Sequence, residues 1–203
     1  MNKKQCLAYV LGYLSKRINE RNIPWVLIGD LALWIHGLGT NPREIVIITS
    51  KSHVFKMDRF MKTFFDIIEV VGYVEEDNFI GYRGRYLVNG VPVEVYARPK
   101  LVLGKNILEV PFNLLYKCAI RKFMYGTKLI VAPIEWLIIP LLISIYNKCT
   151  EPSKLKFIKT LHINRKRLEL FSQYMPPEIR SLINKIIEPN KETKEEIKVQ
   201  NIK

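Results

Sequence analysis

Two stretches of the sequence place residues able to do chemistry close together. In the first, Gly29 and Asp30 follow an apolar run, His36 stands a few residues on, and Arg43 and Glu44 precede a second apolar run. In the second, Arg83, Arg85, Glu94 and Arg98 are interleaved with Tyr82, Tyr86 and Tyr96. Carboxylates hold hard cations such as magnesium, guanidinium groups bind phosphate, and aromatic rings stack on bases. Each residue also has an ordinary structural reading. Asp30 reads as a helix cap, and His36 as a residue whose bonds are met at a helix end. Glu44 reads as a strand-edge residue paired with Arg43 or a lysine. The arginines read as solvated hairpin charges, and the tyrosines as cross-strand packing pairs. The sequence has no Gly-x-x-x-x-Gly-Lys-Ser/Thr loop, no Gly-x-Ser-x-Gly elbow and no His-Glu-x-x-His helix.

The elements that must position these residues follow from hydrophobic period. Trp25-Val26-Leu27-Ile28 reads as a strand that stops at Gly29. Leu31, Leu33, Trp34, Ile35 and Leu38 then fit one face of a short helix, with Asp30 at its start and Gly37 and Gly39 at its end. Glu44-Ile45-Val46-Ile47-Ile48 reads as a second strand, β-branched and buried on both faces. An amphipathic helix is expected over 5–21, and another from a cap at Ser50 or Ser52 to about Phe65, followed by a strand from Ile67 to Val74 and a polar turn over 75–78. Asn89-Gly90 supplies the positive φ angles of a two-residue hairpin turn between Tyr86-Leu87-Val88 and the strand from Val91 to Tyr96. Alternation in that second strand puts Pro92, Glu94 and Tyr96 on one face and the valines on the other. Beyond lie a loop or short strand over 100–110, a helix from Pro111 to Met124, a strand at Leu129-Ile130-Val131 and a helix from Pro133 to about Asn147. Helices are expected over 151–161, 165–175 and 177–187, with a charged, mobile tail over 189–203. The composition shift near Cys149 to Pro152 suggests a mixed core over 1–150 and a helical annex over 151–188.

The 203 residues carry a formal net charge of +13, which favours anionic partners such as nucleotides or nucleic acid, or an acidic protein, and equally suits a lysine-rich soluble surface. Cys6, Cys118 and Cys149 are odd in number and have no metal-ligand spacing, which argues for a reducing compartment. The start lacks the pattern of a signal peptide, so a cytoplasmic location is expected. The apolar window from Leu129 to Tyr146 contains Pro133, Glu135 and Pro140, and reads as a buried strand and helix of a soluble protein without a membrane span.

The stretch from Trp25 to Ser50 resembles the signature of the nucleotidyltransferase superfamily of DNA polymerase β type, in its small stand-alone form. That signature is an apolar strand, Gly-Gly or Gly-Ser, a short helix often ending in His-Gly, and a strand carrying Asp-x-Asp. Gly29-Asp30 falls on the glycine pair, and His36-Gly37 on the His-Gly. Glu44 lands on the first aspartate and Val46 on the second, while Glu94 is the candidate for a third carboxylate on a neighbouring strand. The resemblance implies an α/β fold, a mixed sheet flanked by helices, with a C-terminal helical annex. It implies Glu44 and Glu94 as catalytic and metal-binding residues, Gly29, Asp30 and Arg43 as nucleotide contacts, and Mg²⁺ as cofactor if the chain is active. The chain departs from the signature at three places: Val46 cannot ligate metal, Asp30 brings negative charge to a phosphate position, and Pro140 stands where a lysine is expected after Pro133-Ile134-Glu135-Trp136-Leu137. Two functions follow as expectations. One is a catalytically degenerate protein that binds a nucleotide, nucleic acid or protein partner. The other is an active metal-dependent nucleotidyltransferase with a reduced carboxylate site. Resemblance to the small stand-alone members also suggests a toxin–antitoxin or defence role.

Overall fold

Leu7, Val10, Leu11, Leu14 and Ile18 recur at helical spacing, and all are buried along one side of α1 (Lys3–Glu20). The computed structural model of the chain describes residues 3–76, 79–103, 106–146 and 161–187. After α1 come β1 (Trp25–Ile28), α2 (Gly29–Ile35), β2 (Ile45–Thr49) and α3 (Val54–Phe64). A meander follows: β3 (Asp66–Glu76), β4 (Phe79–Val88), β5 (Val91–Leu103) and β6 (Asn106–Glu109). Then come α4 (Phe112–Cys118), β7 (Ile120–Met124), β8 (Thr127–Val131) and α5 (Ile134–Tyr146), and, after the undescribed stretch, α6 (Arg165–Ser172) and α7 (Pro177–Ile187).

Among the described residues the strands form one eight-stranded sheet in the order β3-β4-β5-β2-β1-β8-β7, with β6 against β5. The sheet is mixed: β1 runs parallel to β8 and β2 parallel to β5, and the other pairs are antiparallel. The expected α/β class is the observed one. The chain divides into two compact units, Met1–Ile138 and Ile139–Lys203. In the second unit, the Asn164 side chain accepts a hydrogen bond from the Arg167 amide and caps α6, while Leu168, Phe171, Ile179 and Ile183 are buried. The helix expected over 151–161, the boundary near residue 150 and the tail over 189–203 lie outside the described residues, as do positions 77 and 78 of the expected polar turn.

Several expectations need correction. The stretch from Pro111 to Met124 is not one helix. Pro111 caps the short α4, which ends at Cys118, and β7 follows. Tyr125 and Gly126 both have positive φ, 50° and 70°, and turn β7 tightly into β8. Of the loop or short strand expected over 100–110, the strand is found on both sides of residues 104–105, since β5 runs on to Leu103 and pairs with β6. Neither Ser50 nor Ser52 caps α3. Their hydroxyls lie 2.9 Å apart and both contact His53 Nδ1, and His53 holds the cap position without a side-chain bond. Asp30 lies in the first turn of α2, whose cap residue is Ile28. Glu75 and Glu76 extend β3 instead of turning. β2 begins at Ile45, and Val46 remains half-buried, so the strand is not covered on both faces throughout. No helix among the described residues is long and apolar enough to cross a membrane.

Candidate functional site

Three neighbouring junctions of the sheet bring the expected residues into one row. β1 pairs Ile28 with Val46 of β2, β2 pairs Val46 with Glu94 of β5, and β5 pairs Glu94 with Arg85 of β4. Residues in register on neighbouring strands present side chains to the same face. The alternate residues Ile45, Ile47, Val93, Val95 and Tyr86 are buried on the other face. There the Tyr86 hydroxyl donates a 2.6 Å hydrogen bond to Asp58 Oδ1 of α3, which marks that face as the helix-packed one. Val46, Glu94 and Arg85 therefore lie on the face turned away from α3.

Glu94 is tied on both oxygens. Arg85 Nε lies 3.1 Å from Oε1, and the Tyr96 hydroxyl donates to Oε2. Burial, and next the bond to Glu94, raise the Tyr96 hydroxyl above the ordinary phenol range, so Tyr96 remains a donor at neutral pH. Glu44 lies one residue before β2. Its carboxyl is pushed upward, first by burial and then by the negative charge of Glu94, with Arg85 opposing and Asp30 adding slightly. Glu44, Glu94, Arg85 and Asp30 thus share one electrostatic neighbourhood. Gly29 joins it through Val46: a Cβ at Gly29 would lie 3.4 Å from Val46 Cγ2. The φ of +75° at Gly29 lets the chain turn sharply from β1 into α2.

The remaining candidates are spread more widely. Arg43 and Asp30 are exposed at the rim of this end of the sheet. Arg83 is held by Glu76 at 2.8 Å and by Glu69 at 3.3 Å, and those acids, Glu76 foremost, raise its pKa above the ordinary arginine range. Arg98 pairs with Glu109 at 3.3 Å. His36 Nε2 lies 2.8 Å from the Ala132 carbonyl and Lys122 Nζ donates to the Ile35 carbonyl at 2.7 Å, so both tie the end of α2 to the β7–β8 side of the sheet. Burial holds the His36 pKa below its ordinary value, and the neutral ring donates from Nε2. The three tyrosines do not act together. Tyr96 serves Glu94, Tyr86 is buried against α3, and Tyr82 packs edge-on against Phe55 and Tyr73.

Sequence reasoning missed Arg85 and Tyr96 as the partners that hold Glu94. A signal was present. The two-residue turn at Asn89-Gly90 pairs Val88 with Val91, and counting outward from it sets Arg85 opposite Glu94. The pairing of Val46 with Glu94 has no such local signal, because β2 and β5 are distant in sequence. Among the described residues, no three or more His, Cys, Asp or Glu side chains are grouped so that they could hold a metal ion.

A solved structure shares this architecture. A protein from Thermotoga maritima described as a nucleotidyltransferase superposes with a TM-score of 0.61 at 19% identity, covering 79% of this chain and 97% of its own. A nucleotidyltransferase-like antigen from Paracoccidioides brasiliensis reaches 0.48 at 13% identity over 89% of this chain and 87% of its own. The enzyme ANT(2″)-Ia, bound to adenylyl-2″-tobramycin, reaches 0.46 at 11% identity over 92% and 97%. These weaker superpositions add nothing to the first. No protein-family model matches the chain, and no curated protein matches it in sequence. The fold is nucleotidyltransferase-like.

Proposed function

We propose that this chain is a catalytically degenerate nucleotidyltransferase-like protein, one that binds a nucleotide or nucleic acid without transferring a nucleotidyl group. One observation carries the reading. In the row where a two-ion centre would need neighbouring carboxylates, Val46 lies in register with Glu94, and Glu94 is already neutralised by Arg85 and bonded by Tyr96. Two-metal catalysis needs ligands that bridge both ions and clamp the attacking and leaving oxygens. A valine methyl supplies no ligand, and a guanidinium beside the one remaining strand carboxylate takes the place of a cation. On this reading the residues present do not fit a pair of magnesium ions. Gly29, Asp30 and Arg43 then border a cleft that takes its ligand by shape and by fixed charge.

The competing reading is an active enzyme with a reduced site. It takes its support from the Glu94 charge, which helps push the Glu44 carboxyl upward and so speaks for two neighbouring carboxylates. A titration of each nucleoside triphosphate with and without Mg²⁺, for the native chain and Glu44→Ala, separates the two. The degenerate reading expects binding indifferent to Mg²⁺ and to Glu44. Metal-dependent binding lost in Glu44→Ala would favour the enzyme instead and turn the search to its acceptor. A second arm asks what blocks the metal. The double variant Val46→Asp, Arg85→Ala should acquire Mn²⁺ binding that the native chain lacks.

A further inference from the structure

The outward surface of the first unit carries a second feature that the cleft does not use. Aromatic rings run across it from the β7–β8 turn, along α1, to the end of α3. Tyr125 and Tyr9 meet edge to face at 5.8 Å, Tyr13 stands one helical turn beyond Tyr9, and Tyr13 meets Phe65 at 6.3 Å. Phe60 and Phe64 continue the run at 5.5 Å. Tyr9, Tyr125 and Phe64 are at least half exposed, at 54%, 52% and 50%, and Tyr13 is 37% exposed. Rings left open in such a row are unusual, since an aromatic side chain gains most by full burial.

Cations are fixed along the same track. The Arg17 guanidinium lies 5.3 Å from the Tyr13 ring centre, and that of Arg21 lies 4.4 Å from Phe60 and 5.3 Å from Phe64. Arg21 also donates to the Arg17 carbonyl at 2.9 Å, and Lys56 donates to the Arg21 carbonyl at 2.9 Å, so these side chains are held in place. α1 and α3 together carry seven lysines and arginines against two acidic residues, of which Asp58 is buried and bonded inward. At the far end, a pocket of about 350 Å³ opens between the end of α3 and the β4–β5 turn, with Lys62, Phe64, Phe65 and Asn89 in its wall. Its wall is mostly polar and includes the Asp66 carboxylate, with Lys62 and Asn89 as donors at its edge.

We propose that this aromatic and basic track binds single-stranded nucleic acid. Backbone phosphates would meet the cations, and unpaired bases would stack on the open rings. A duplex hides the faces of its bases, so it would use the charge and leave the rings idle. The track is separate from the carboxylate cleft, and its occupancy does not depend on whether the cleft transfers a nucleotide.

The test is fluorescence anisotropy with labelled twelve-nucleotide oligo(U) and oligo(dT), and with a duplex of equal length, over a range of salt. The native chain should bind the single strands, with affinity falling steeply as salt rises. Tyr13→Ala and Phe64→Ala should each weaken binding by about 5- to 150-fold. The double variant Lys56→Ala, Arg59→Ala should lower the salt slope by about 0.7 per cation removed. The charge change Lys100→Glu, Lys117→Glu, on β5 and α4, should leave the effect of the rings intact. Thermal melts confirm that these surface variants fold. Undetectable binding at 50 mM salt would overturn the proposal, on the scale of about 50 mM used for such contacts. Ring variants that bind as the native chain does, or a duplex bound as tightly as the single strands, would also overturn it. So would capture by phosphatidylserine vesicles without any binding of oligonucleotides.

Discussion

At the scale of single residues, the Glu44 and Glu94 carboxylates differ in how their charge is compensated. Glu94 has two partners, whereas the Glu44 carboxyl is crowded by burial and by the Glu94 charge. The folded state therefore binds a proton at Glu44 more readily than the unfolded chain does. For an acid whose folded pKa is raised, stability falls as pH climbs from the ordinary glutamate value, about 4.3, to the folded value. Glu44→Gln should remove that slope. The variant should melt higher than the native chain at pH 7, and no higher at pH 4. The gain should stay below about 1 kcal/mol, because the group remains largely wet and solvent screens it. Melting curves at the two pH values check this, and an equal shift at both would show that Glu44 feels no such crowding. Glu94 was legible in the sequence as a glutamate pointing away from its flanking valines, and the structure puts it there. Its compensation by Arg85 required the register as well.

At the scale of elements, Asp58 is what joins α3 to the meander. Its Oδ1 accepts from the Tyr86 hydroxyl of β4 at 2.6 Å and from the Val71 amide of β3 at 3.2 Å, while Oδ2 pairs with Lys62 at 3.2 Å. Burial, and then this carboxylate, raise the Tyr86 phenol well above its ordinary range. Asp58→Ala strands a buried hydroxyl and an amide, and it should cost about 2–3 kcal/mol, since bonds to a charged group count for more than neutral ones. Urea unfolding measures this, and a loss under about 0.5 kcal/mol, the level of an ordinary surface change, would contradict it. Asp58 is invisible to pattern reading, because a lone acid on a helix looks like a solvated one. The β7–β8 turn escaped for a similar reason. Asn89-Gly90 announces its geometry, whereas Tyr125 adopts a φ of 50° that its residue type does not favour. The apolar residues before it then read as the end of a helix. Where the period was long and unbroken, as in α1, or where the turn chemistry was explicit, as in β4–β5, sequence and structure agree closely.

At the scale of the whole chain, the Val46–Glu94 row joins a strand that precedes the β3–β4 pair in sequence to one that follows it. Val46 meets Glu94 only after the chain has passed through α3, β3, β4 and the Asn89-Gly90 turn. Closing so long a loop is entropically costly, and a formed hairpin shortens the effective distance. The local pairs should therefore form first, and the parallel β2–β5 ladder should follow. Pulse-labelled hydrogen exchange during refolding would show the amides of 85–93 protected before those of 46–48, and the reverse order would refute the sequence of events. The row is thus assembled only when the parallel β2–β5 ladder closes. The nucleotide or nucleic acid proposed above would bind only chains in which that ladder has closed, and by mass action would hold it shut.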